Sequence, residues 1–236
     1  MRPLIAFLCG FLGACGGSNT VDGITPPDTF GKGSTPPHLS YDQFLPAAYG
    51  KDATTQWPMI LSLHGAGGLI KEDNLIEVEA KKDPAFPFIV IAPRAANGWS
   101  NTALDLLIVE TQARLRVDAD RIYLTGLSMG AYGAWSMAIA YPHRYAAMAT
   151  ISGGGTAAEA CTIKQLPVWA FANRTDPVVP ATESESIVRA LSACGGLARL
   201  TIYEQLAPDQ WAHNAWQAAW TTPELYQWFL QLRRQP

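Results

Sequence analysis

The sequence predicts an α/β fold, a mostly parallel central sheet with helices on both faces, and three observations carry that expectation. Short apolar runs bounded by turn residues recur at 59–63, 88–92, 122–124, 146–151, 168–172 and 200–203. Helical patterns lie between them, most clearly at 102–115, 131–141 and 181–193. Strands apolar on both faces and separated by helices are the pattern of a parallel sheet buried from both sides. The third observation is local: residues 124–133 (LTGLSMGAYG) read as strand, sharp turn and small-residue helix.

Taken in order, the chain opens with Met1-Arg2 and an apolar run over 3–12. That run has the length of a signal-peptide core and is too short to span a bilayer, which needs roughly 20 apolar residues. Leu12-Gly13-Ala14-Cys15 follows at once and resembles a bacterial lipobox. The resemblance implies a signal peptide over 1–14 and a lipidated Cys15 that anchors the chain to a membrane, the outer one favoured because Gly16 rather than aspartate follows. An ordinary secretory signal cleaved near Ala14, leaving a soluble exported protein, is the alternative. Residues 15–37 are dense in Gly, Ser, Thr and Pro without hydrophobic periodicity, so they read as the lipidated cysteine and a flexible tether.

Residues 38–236, about 200 in all, suit one domain. Hydrophobic residues make up 48% of the chain and charged ones 16%, enough apolar material for a well-buried core. The net charge of −3, with no basic stripe, excludes nucleic acid as an expected partner. Beyond Cys9 and Cys15 there remain Cys161 and Cys194, in a chain bound for an oxidising compartment. A disulfide between them and two buried free thiols are both open. Residues 41–45 read as an added edge strand, and 223–233 as a last helix with proline in its first turn and arginines at its end.

The turn at 126–130 is Gly-Leu-Ser-Met-Gly, a G-x-S-x-G elbow set between strand and helix. Such an elbow forces serine into a strained backbone at the top of a parallel sheet and exposes its hydroxyl. Ser128 is therefore the candidate nucleophile. A serine hydroxyl needs a base to take its proton, and His213 follows the strand at 200–203. Asp176 follows the strand at 168–172 and is placed to hold the other ring nitrogen and to stabilise the imidazolium as it forms. Both fall at carboxyl ends of strands, where loops of an open α/β sheet build a site. Asp209 rivals Asp176. His143 and His38 read as peripheral, and Asp118 and Asp120 as turn residues at the wrong end of the sheet.

Negative charge on a carbonyl oxygen requires donors. One is expected from the Met129 backbone N–H, the other from the loop Leu63-His64-Gly65-Ala66-Gly67-Gly68, assigned to Ala66 with Gly65 or Gly67 as alternatives. His64 reads as a residue that orders this loop. Trp99 and Trp211 are candidate substrate-binding faces, with core packing or a loop clasp the competing role. Trp216 and Trp220 share a helical face and read as core. The sequence has no metal-ligand cluster, phosphate loop or CxxC, so no cofactor is expected.

From about Tyr41 to Arg233 the chain resembles the bacterial predicted-peptidase/esterase group of the α/β-hydrolase superfamily, related to polyhydroxybutyrate-depolymerase-like and feruloyl-esterase-like proteins. The stretches that carry the resemblance are 57–67 (WPMILSLHGAG), 120–130 (DRIYLTGLSMG), 167–171 (PVWAF), 176–180 (DPVVP) and 223–228 (PELYQW). It implies an α/β-hydrolase fold and a serine hydrolase acting on small or polymer-linked esters, with acetyl or feruloyl esters of polysaccharides preferred. A peptidase or amidase of the same fold, or a non-catalytic binding lipoprotein, are the alternatives. Asn173-Arg174 stands where relatives carry His-Gly, Trp211-Ala212-His213-Asn214 where they carry a Gly-His-Asp approach, and Gly68-Leu69-Ile70-Lys71 departs from their polar turn. These departures bear on pocket shape and charge. No long insertion separates the strands, so no large lid is expected.

Overall fold

The computed structural model describes residues 31–35, 39–67, 75–204 and 211–235. The signal peptide, Cys15, His38, residues 68–71 and Asp209 lie outside them.

Eight strands form one sheet in the order β1-β2-β4-β3-β5-β6-β7-β8. They are β1 Gly31–Thr35, β2 Leu39–Phe44, β3 Trp57–Leu63, β4 Ile89–Pro93, β5 Val117–Leu127, β6 Ala147–Ile151, β7 Val168–Asn173 and β8 Ala198–Tyr203. β1–β2 and β2–β4 pair antiparallel. All pairs from β4 across to β8 are parallel. Every residue of β6 and β7 is buried, as a strand covered on both faces must be. The helices are α1 Leu75–Lys82, α2 Asn101–Arg114, α3 Met129–Ala140, α4 Ala181–Ala193, α5 Ala215–Trp220 and α6 Pro223–Leu230, with a 3₁₀ helix at Ala157–Ile163.

Alternate strand residues face opposite sides of the sheet, and two apolar clusters follow from that. Met59, Leu61 and Leu63 of β3 pack with Leu104 and Leu107 of α2, Trp135 and Met137 of α3, and Ile187 and Leu191 of α4. Ile60 of the same strand belongs to the other face, with Ile76 of α1, Trp216 and Trp220 of α5, and Leu225 and Phe229 of α6. Local signals set the helix starts: the Ser100 hydroxyl accepts from Ala103 N at 3.3 Å to cap α2, and Pro223 opens α6.

The described structure differs from the sequence expectations in a few places. The tether read over 15–37 is shortened, because Gly31–Thr35 adds to β2 as a strand. Backbone N–H and C=O groups along an open strand edge recruit a neighbour whatever its side chains, so composition conceals the pairing. β2 is accordingly an interior strand and not the edge. α6 stops at Leu230, short of the arginines. Val117 pairs with Trp57 and Ile122 with Met59, which leaves Asp118 to Arg121 in a bulge. Cys161, in the 3₁₀ helix, and Cys194, at the end of α4, are joined by a disulfide with Cα atoms 5.8 Å apart. Among the described residues no helix is long and apolar enough to cross a membrane.

The bulge is held by charge. Asp118 accepts from Arg121 Nε at 2.7 Å, from the Asp120 N–H at 3.0 Å and from Arg233 at 3.2 Å. Burial pushes the Asp118 carboxyl up, but the Arg121 and Asp120 hydrogen bonds and the Arg121 and Arg233 charges outweigh it, and the net shift is downward. A depressed carboxyl stabilises the fold above its unfolded value of about 4 and loses that contribution as pH falls through the folded value. Asp118→Asn should therefore cost about 1 kcal/mol at neutral pH. In urea titrations the gap from wild type should close in acid. The disulfide spans 33 residues of sequence. Replacing both cysteines with alanine should remove about 3–4 kcal/mol by the loop-entropy relation, read as a fall in denaturation midpoint.

Candidate active site

Ser128 sits between β5 and α3 with φ 48° and ψ −118°, a left-handed conformation for a residue with a side chain. Two glycines enforce it. A Cβ at Gly126 would collide with the carbonyl oxygen of Gly130, and one at Gly130 with the carbonyl oxygen of Leu63. Strand, turn and helix are thus pinched together, and Ser128 is presented above them. Its hydroxyl makes no helix-cap bond and turns instead to His213.

His213 follows β8 on a turn just before α5 and is 4% exposed. The Ser128 hydroxyl donates to His213 Nε2 at 3.1 Å, and His213 Nδ1–H donates to Asp176 Oδ2 at 2.7 Å. The other oxygen of Asp176 accepts the N–H groups of Val178 and Val179, both at 2.9 Å. Asp176 is thereby committed at both oxygens, one to its own loop and one to the imidazole. Trp211 and Trp216 meet the His213 ring edge to face, with centroids 5.1 and 5.2 Å away, which restricts its swing.

The loop after β3 abuts the serine: a Cβ on Gly65 would lie 3.4 Å from Ser128 Cβ and 2.5 Å from Leu127 Cδ1. Ala66 is exposed beside it, and Gly67 turns the chain with φ 87°. Met129 is the first residue of α3, where helix geometry leaves N–H groups without intrahelical partners. His64 directs both ring nitrogens to the backbone. Nδ1 lies 2.6 Å from the Gly65 oxygen, and Nε2 accepts from Ala95 N at 3.0 Å. It ties the loop after β3 to the loop after β4.

Of the two tryptophans named from sequence, Trp211 is 58% exposed beside His213. Trp99 is half-buried, with its ring 4.7 Å from that of His64 and laid against Gly133, where a Cβ would come within 2.5 Å of it. It clasps α3 to the His64 loop. Arg174 turns outward to Glu185 (2.6 Å) and Glu204 (3.2 Å). His143 is exposed after α3, remote from Ser128 in the fold.

Two residues near the serine and the aspartate escaped sequence reasoning. Tyr132 and Val178 are 39% and 54% exposed. Tyr132 lies one helical turn past Ser128, so the i+4 spacing was the available signal. Burial first, then the charge and hydrogen bond of Glu183 and the charge of Asp176, raise the Tyr132 phenol above its ordinary value. Beside it a groove of about 520 Å³ runs along α3, lined by Asn101, Ser136, Thr156 and Glu159 among others.

A parallel sheet covered on both faces, carrying its serine on the β5–α3 elbow, defines the class as α/β-hydrolase. Within that class the chain belongs to the family described as Esterase PHB depolymerase, which matches residues 91–217. It is also 31% identical, over 119 residues, to the protein of Aspergillus terreus named Probable feruloyl esterase C. That alignment takes in 44% of this chain and 43% of the relative, so it spans less than half the relative's length. A crystal structure of a thermostable esterase superposes with a TM-score of 0.76 at 27% identity, covering 86% of this chain and 62% of that one. FphF of Staphylococcus aureus, a fluorophosphonate-binding serine hydrolase, shares the fold with a TM-score of 0.66 at 13% identity, covering 84% and 96%.

The backbone of Ser128 stores strain of about 1–3 kcal/mol, the usual range for such a conformation. Ser128→Gly should relieve it and raise the urea midpoint, whereas Ser128→Ala, with a Cβ still in place, should not.

Proposed function

We propose that the chain is a serine hydrolase that cleaves carboxylic esters through an acyl-enzyme. The observation that carries this reading is the unbroken relay Ser128 Oγ–His213 Nε2 and His213 Nδ1–Asp176 Oδ2, at 3.1 and 2.7 Å. Ser128 Oγ attacks the ester carbonyl while its proton passes to His213 Nε2. Asp176 holds the Nδ1–H and offsets the charge that forms on the ring. The N–H groups of Ala66 and Met129 take the oxyanion. Collapse of the tetrahedral intermediate breaks the C–O bond, and the alcohol leaves with the proton from His213. Water, deprotonated by the same nitrogen, then attacks the acyl-enzyme and releases the acid and Ser128.

The surroundings favour an ester on a bulky, hydroxyl-rich alcohol. Tyr132, Val178 and Trp211 are exposed within four positions of a relay residue, and the Trp211 ring lies against His213. The groove beside Tyr132 offers amide, hydroxyl and carboxylate groups from Asn101, Ser136, Thr156 and Glu159. Acetyl or feruloyl esters of polysaccharides fit this combination, and the likeness to a protein named as a feruloyl esterase supports it. The Cys161–Cys194 bond supports the proposed export, with Cys15 as the lipid anchor.

The test is hydrolysis of p-nitrophenyl acetate, methyl ferulate and a short peptide by wild type beside Ser128→Ala. Ester cleavage that falls by about 10⁴-fold or more in the variant is expected. Equal rates in both proteins would remove Ser128 as the nucleophile, and cleavage confined to the peptide would transfer the site to amide chemistry.

A further inference from the structure

We propose that Asn173 and Ser152 are positioning residues for His213, acting on its backbone from two different strand ends. The inference rests on reading His213 as the general base. A single bond at Nδ1 cannot place an imidazole, because the ring can pivot about that bond and also moves with its own Cα. The direction of the Cα–Cβ bond is set by the two peptide planes that flank it. Both planes are tied. Asn173 Nδ2 donates to the carbonyl of Ala212 at 2.7 Å, on the N-terminal side of His213. Ser152 Oγ donates to the carbonyl of His213 itself at 3.3 Å, on the C-terminal side.

Both donors are rigid. Asn173 is 1% exposed and ends β7, where its backbone pairs with Tyr203 of β8. Ser152 is 1% exposed, follows β6, and donates its own N–H to Phe171 O at 2.9 Å. Its φ of 51° is unfavourable for a residue with a Cβ. Such strain persists where the surroundings over-determine it, and it gathers at functional sites. The same β7–α4 connection thus holds His213 twice, by the ring through Asp176 and by the main chain through Asn173. Among the described residues, the backbone bonds within the turn that carries the base are short-range, Asn214 N to Trp211 O and Ala215 N to His213 O.

Asn173→Leu keeps the approximate volume and deletes the donor without adding a charge. It should lower kcat on p-nitrophenyl acetate by roughly tenfold to a hundredfold, the scale of a small displacement of a catalytic group, with KM within about twofold of wild type. Ser152→Gly deletes the weaker donor and also relieves the backbone, so it folds readily and should lower kcat by about threefold. In both variants the low-field NMR resonance of the His213 Nδ1 proton should shift or broaden, a change that a merely structural role would not produce. Wild-type kcat and an unmoved resonance in Ser152→Gly and in every folded Asn173→Leu sample would overturn the proposal, as would a change confined to KM. The resonance is read without substrate. If Ser128→Ala were as active as wild type, Ser128 would fall as the nucleophile while the resonance would still test the positioning of His213.

Discussion

The close approach of the α3 N-terminus to the sheet is the constraint on which the other features depend. Gly126 and Gly130 leave no volume for a Cβ between β5, the start of α3 and the carbonyl of Leu63. That contact lifts Ser128 into its strained conformation and sets Gly65 against it. It also makes Ser128 the residue that leads directly into α3. Were the helix an ångström farther off, the turn would relax and the Ser128 hydroxyl would no longer be held toward His213. The strain is borne by a well-filled core: on both sides of the elbow, Leu124, Leu127, Ala131 and Ala134 are essentially buried.

Around this pinch the polar groups are spent economically. Asp176 divides its oxygens between its own loop and the imidazole, and His64 uses both ring nitrogens on neighbouring backbone. The two histidines near Ser128 are distinguished by these partners. One faces the hydroxyl, and the other is consumed in joining two loops. Trp99 completes that junction by resting on Gly133, a position where a larger residue would displace the ring.

Much of this was legible in the residues. Strands buried on both faces read as apolar runs because neither side tolerates polar groups, and the elbow read clearly because its glycines are sterically obligatory. Trp216 and Trp220, spaced for one helical face, lie in α5 and are buried. β1 was illegible, since Gly31–Thr35 pairs with β2 along the backbone and its sequence, GKGST, carries no apolar alternation. α1 and α5 are short, and six to eight residues hold too few turns for a periodicity to emerge. Asn173 was visible only as a departure from a familiar pattern. Its bond to Ala212 joins positions 39 apart in sequence, a separation no local signal spans.

The division of the helices between the two faces has a consequence for heat. Ser128 leads into α3 and Asp176 into α4, both anchored in the cluster on one face, whereas His213 leads into α5, anchored in the other. The hydrogen bond from Ser128 to His213 therefore crosses between two separately packed layers. Softening of either layer lets them slide, and a donor–acceptor distance near 3 Å tolerates little sliding before the bond is lost. Activity should disappear at temperatures where the sheet, its parallel ladder intact, still reads as folded.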